Sequence, residues 1–156
     1  MLFRLCKQIR ANRNYSDNNP RDILTDLAAS SPGEEGKWFA AAKSAEFYPE
    51  ALELANRSPC DPKTLTRAVR DMAENESLFA LEIGITALKW LVAGYGYEVT
   101  GDDVRSVYSH TMKAAEVAQL KNETFERIRT LVAGEVYGER FVTKILGLTL
   151  GLSRRA

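Results

Sequence analysis

Apolar residues recur along the chain at spacings of three and four, the period of α-helices with one buried face. Leu2, Leu5, Cys6 and Ile9 form a first stripe, and Ile23, Leu24 and Leu27 a short second one. Trp38, Phe39, Ala42 and Ala45 follow, then Leu52, Leu54 and Ala55, then Leu65, Ala68, Val69 and Met72. Phe79, Ile83, Ala87, Trp90 and Leu91 mark what should be the longest and most apolar helix. Val104, Val107, Tyr108, Met112, Ala115 and Ala118 make the next stripe, and Phe125, Ile128, Leu131 and Val132 the one after. The last is Phe141, Ile145, Leu148 and Leu152. No alternating β-branched run lies between turn residues, so strands are not expected. Tyr95–Thr100, bracketed by Gly94, Gly96 and Gly101, is the only extended-looking stretch and is expected to be an inter-helix loop.

Helix starts are signalled between the stripes. Pro20, Pro32, Pro49 and Pro62 each stand where a helix could begin, because proline at the first helical position gives up no hydrogen bond. Ser31-Pro32-Gly33-Glu34 has the form of a capping box, and Asp61 is a good N-cap before Pro62. Asp102 and Asp103, after Thr100, place acids in a first turn where the helix dipole favours them.

The expected fold is all-α: irregular stacked helical hairpins of about eight or nine helices, either a right-handed solenoid of the tetratricopeptide or HEAT kind or a compact bundle. Short links argue for antiparallel neighbours. Two weak internal similarities, Ala51–Ala55 with Ala80–Gly84 and Asn75–Ser77 with Asn122–Thr124, differ in offset, and no repeat signature is present. Residues 1–18 are expected to form a basic amphipathic N-terminal helix or arm, and 19–156 a single helical-hairpin domain.

Charge changes this picture more than composition does. The 156-residue chain has a formal net charge of zero and an ordinary 45% of hydrophobic residues. Residues 1–16 carry Arg4, Lys7, Arg10 and Arg13 and no acid, and residues 140–156 carry Arg140, Lys144, Arg154 and Arg155 and no acid. The stretch between holds 13 bases against all 21 acids, a net of −8. The spacing of Arg4, Lys7, Arg10 and Arg13 aligns them along one side of a helix. That stripe could meet nucleic-acid phosphates, an acidic partner or the acidic body of another copy, or be a solvated helix face. No aromatic is interleaved with it, so stacking on single strands is not indicated.

Candidate chemistry is sparse. His110 is the one histidine, with neither a nucleophile nor an orienting partner nearby in sequence, and is expected to be structural. Cys6 and Cys60 lie far apart without a CxxC or Cys/His pattern, which suggests reduced thiols in a cytoplasmic protein and no zinc site. Cys60 precedes a helix start, where a thiol pKa can fall, but a buried turn residue is the expectation. Asp102-Asp103 and Glu34-Glu35 are adjacent on their helices and diverge by about 100°, so neither pair converges on a metal. Gly94-Tyr-Gly-Tyr97 lacks the lysine, hydroxyl and preceding strand of a phosphate loop, and Gly94 or Gly96 is expected to end a helix. Trp90, Tyr95 and Tyr97 remain candidates for an aromatic interaction patch. No catalytic residue, cofactor or metal is assigned. No membrane span is expected over Ile83–Tyr97, which is short and holds Lys89 and three glycines, and no signal peptide at Met1–Arg10.

Three segments carry a resemblance: Gly36–Lys43, Leu52–Arg67 and Gly94–Thr100. Together they resemble an uncharacterised bacterial family of helical, repeat-like domains, over roughly residues 20–150. Such domains often form the C-terminal part of longer chains, so this chain is expected to be a fragment, an internal-start product or a stand-alone version. The resemblance implies a helical fold, brings no catalytic residues, and adds Trp38 and Arg67 to the candidate surface beside Trp90. The function expected first is a non-enzymatic helical-repeat module for protein–protein interaction, with a protein partner or a homo-oligomer. A helical subunit of a nucleoprotein assembly, contacting phosphates through the basic ends, comes second. An enzyme built from convergent Asp, Glu, Tyr and Arg side chains comes third.

Overall fold

The computed structural model describes residues 20–152. Among them lie eight α-helices, one 3-10 helix and no strand. The chain divides into two compact units, Met1–Cys60 and Asp61–Ala156, where the sequence suggested one domain over 19–156. The boundary falls inside Ser58-Pro59-Cys60-Asp61-Pro62. Ser58 there is extended, and two prolines without N–H groups prevent the flanking helices from joining. The expected arm over 1–18 lies outside the described residues.

In the first unit, α1 (Pro20–Ala29) is followed by the 3-10 helix (Glu35–Trp38), α2 (Phe39–Ser44) and α3 (Tyr48–Arg57). Ile23, Leu24, Ala28, Phe39, Ala42, Ala51, Leu54 and Ala55 form its core. Arg21 lies over the Phe47 ring at 4.5 Å and pairs with Glu50 at 3.2 Å, tying α1 to the start of α3. Pro20 opens α1 and Pro49 stands in the first turn of α3, as expected. Ser31, however, does not cap a helix. Its carbonyl accepts the Glu34 N–H at 3.0 Å around Pro32 and Gly33, whose φ is +80°. That is a type II turn, proline then glycine at its centre, and the turn takes the residues that looked like a capping box. The Ser58 hydroxyl instead accepts the Gly36 N–H at 2.8 Å, and the Cys60 thiol donates to the Gly36 carbonyl at 3.5 Å. These bonds clamp the end of the unit onto the 3-10 helix. Cys60 is buried there, as expected of a turn residue.

The second unit contains α4 (Pro62–Met72), α5 (Ser77–Val92), α6 (Gly101–Val117), α7 (Lys121–Ala133) and α8 (Phe141–Leu146). Helix α5 is the most apolar and is central: α4, α6 and α7 pack on it, and α4 also meets α6 directly. This unit is thus the compact bundle of the two expected packings. Helix α6, at 17 residues, exceeds α5 by one. The α5–α6 crossing is close because of Gly84, where a Cβ would overlap the side chain of buried Thr111. The Thr111 hydroxyl donates to the Val107 carbonyl at 2.6 Å, which satisfies it inside the core.

Caps follow the sequence at two helices. Asp61 accepts from the Lys63 N–H at 3.2 Å and the Thr64 hydroxyl at 3.1 Å. Thr100 and Asp103 form a reciprocal capping box at α6. Helix α8 departs from expectation. Its buried residues are Val142 and Leu146, continued by Leu150, while Phe141 and Leu148 of the expected stripe are exposed. The cause is Glu135, a buried carboxylate that accepts from the N–H groups of Val142 (3.1 Å) and Thr143 (2.7 Å) and from the Thr143 hydroxyl (2.7 Å). It caps α8 from seven residues upstream and fixes which face turns inward.

Candidate interaction surface

Two hollows lie side by side on the second unit. The larger, about 380 Å³, runs between α4 and α6. Lys63, Arg67 and Arg70 line it from α4 and Asp103, Ser106 and His110 from α6. Each set repeats at helical spacing, so each faces the groove as a row. Pro62, Leu91 and Val99 add apolar lining. Asp61 stands at the same cleft.

Its charges are unequally satisfied. Arg70 pairs with Asp71 at 3.0 Å. Lys63 lies 4.0 Å from Asp103 and donates to the Glu98 carbonyl at 3.4 Å. Arg67 donates to the Thr64 hydroxyl at 3.3 Å and forms no ion pair among the described residues. Burial holds the His110 pKa below its ordinary value, helped by the charges of Arg70 and Lys113 and opposed by Asp71. The Thr100 backbone N–H holds the Asp103 carboxyl below the usual range; the Thr100 hydroxyl and Lys63 act the same way, against a desolvation penalty.

The second hollow, about 240 Å³, shares Leu91 and Val99 with the first. It lies between the α5–α6 and α7–α8 loops, with Tyr95, Tyr137 and Phe141 on its walls. These loops expose apolar side chains: Tyr95 is 47% exposed, Tyr97 80%, Val136 88% and Tyr137 62%. Gly94, in left-handed conformation with φ +94°, ends α5 as expected. The Tyr137 ring packs over it so closely that a Cβ there would collide with the ring.

The sequence-predicted candidates fare differently. Arg67 lines the cleft and Tyr95 the neighbouring hollow; Trp90 reaches the same end by packing edge-on against Tyr95, centroids 5.4 Å apart. Tyr97 stands exposed on the same loop. Lys89 sits 4.5 Å over the Trp90 ring, and burial lowers its pKa. Trp38 belongs to the first unit, half-buried, with Lys37 5.4 Å above its ring and its buried Nε1 unpartnered among the described residues. Arg4, Lys7, Arg10 and Arg13 lie outside the described residues. His110, expected at the surface or semi-buried, is half-buried and faces the cleft. Tyr137 was missed, because its partner loop lies some 40 residues upstream.

Among the described residues no helix is long and apolar enough to cross a membrane. No family model, curated protein or solved structure matches the chain, so the resemblance noted above stands on its three segments alone.

Proposed function

We propose that this protein is a non-enzymatic helical module for protein–protein interaction, and that the second unit docks an extended or helical segment of a partner protein. The observation that carries this is the exposure of Tyr95, Tyr97, Val136 and Tyr137 on two adjacent loops around one hollow, continuous with a cleft lined by three cations. Aromatic side chains supply large contact area at low entropic cost and dominate interface energetics. A cationic rim beside them favours a segment with apolar anchors flanked by Asp or Glu. The widely spaced cysteines support a cytoplasmic setting.

The test is an amide NMR titration with a synthetic peptide of tryptophan and leucine flanked by glutamates. Perturbation should centre on Tyr95, Tyr97, Tyr137 and Phe141, weaken at least tenfold in the Y97A/Y137A double variant, and weaken when lysines replace the peptide's glutamates. Perturbation that is absent, or equal in the variant, overturns the reading. A concentration-dependent dimer lost in Y97A/Y137A would identify the partner as a second copy.

The basic stripe at Arg4, Lys7, Arg10 and Arg13 favours a second reading, contact with nucleic-acid phosphates. It requires affinity that falls steeply with salt, and abolition of that affinity by R10E/R13E with peptide docking unchanged.

A further inference from the structure

We infer that the cleft between α4 and α6 is a binding site for a phosphomonoester dianion, with Arg67 as its principal ligand. The volume, about 380 Å³, lies in the range of small-ligand sites. Arg67 lines it with a planar fork of donors whose hydrogen-bond partner among the described residues is the Thr64 hydroxyl. A guanidinium meets two oxygens of a tetrahedral oxyanion at once, which an ammonium cannot do. Arg70 and His110 stand along the same walls, and the Ser106 hydroxyl offers another donor.

Charge selects the dianion. Lys63 and Arg70 are met by Asp103 and Asp71, and Asp61 adds a further negative charge at the cleft, so a single carboxylate would find Arg67 alone. A second negative charge finds its counterpart in His110, whose imidazolium form, disfavoured first by burial and then by Arg70 and Lys113, is stabilised by a neighbouring anion. Facing it from α4 are Arg70 and Asp71, and from its own helix Lys113. The cleft's charged lining comes from α4, the Asp61 cap and α6, outside the aromatic loops.

The chain's single histidine makes the test direct, because one imidazole Cε1–H resonance reports on the cleft. The full chain is titrated from pH 5 to 8 in sodium chloride, in sodium sulfate at matched ionic strength, and with added phosphoserine. Sulfate and phosphoserine should raise the His110 pKa by about one unit, saturably. R67Q should weaken both at least tenfold with its melting temperature and its pKa in chloride nearly unchanged, and R67K should fall between. Identical titrations in sulfate and chloride, or R67Q binding like wild type, overturn the assignment. Two supporting outcomes separate the ligand's source. A phosphoserine peptide with flanking leucines binding at least tenfold tighter than phosphoserine points to a phosphorylated protein segment; equal affinity points to a small phosphomonoester.

Discussion

Trp90 and Tyr95 are joined twice: their rings meet edge-to-face at 90°, and the Tyr95 N–H donates to the Trp90 carbonyl at 2.9 Å. With the Gly94 N–H bonded to the Leu91 carbonyl at 3.0 Å, this is a Schellman ending, and the ring pair is its customary apolar contact. One feature therefore both terminates α5 and presents Tyr95 at the loop end.

Gly94→Ala should disturb that ending on two counts. Left-handed backbone costs a non-glycine residue about 1–2 kcal/mol, and the new methyl collides with the Tyr137 ring. A loss of about 2–4 kcal/mol is expected on adding overpacking, with altered Trp90 fluorescence in the folded state. Denaturant unfolding followed by fluorescence measures both.

Gly84→Ala should cost about 1–3 kcal/mol by overpacking the α5–α6 crossing against Thr111. Thr111→Ala in the same chain should restore part of the loss, since it removes the hydroxyl and methyl nearest the intruding atom. A double-mutant cycle should show coupling of at least 0.5 kcal/mol; strict additivity would contradict the close approach.

Glu135→Ala removes three hydrogen bonds at the start of α8 and leaves two backbone N–H groups without their acceptor. The expected cost is about 1–3 kcal/mol, with faster amide exchange at Val142 and Thr143. Glu135→Gln keeps one acceptor oxygen and should lose less.

Two groups set successive acid limits. The His110 folded pKa lies below its unfolded value, so as pH falls through about 6.5 the unfolded chain takes up the proton first and stability declines. Asp103, also depressed, contributes stability that is complete above about 3.9 and lost as pH falls through its folded value. Urea midpoints from pH 3 to 8 should show both arms. H110Q should flatten the upper arm and D103N the lower. R70Q should raise the His110 pKa.

What the sequence made legible is local. Pro20, Pro49, Asp61-Pro62 and Thr100–Asp103 each act on the helix that follows at once, and all open helices as their chemistry requires. The left-handed residues Glu46 (φ 63°) and Gln119 (φ 61°) end α2 and α6 where glycine would be expected, within paired backbone bonds from Glu46 and Phe47 and from Gln119 and Leu120 to the last turns. The α8 face was misjudged because its cap comes from Glu135, outside the helix. Arg67 was marked by a resemblance, but that it lines one cleft with His110 is a property of the α4–α6 contact and has no signature in spacing.

The clamp at the end of the first unit gives that unit an internal stopwatch. The Cys60 thiol is sealed against the Gly36 carbonyl, so an alkylating reagent can reach it only when the turn lifts away. In a Cys6→Ser background, the rate at which Cys60 is labelled would count those openings one by one, and their free energy would follow without unfolding the rest of the chain.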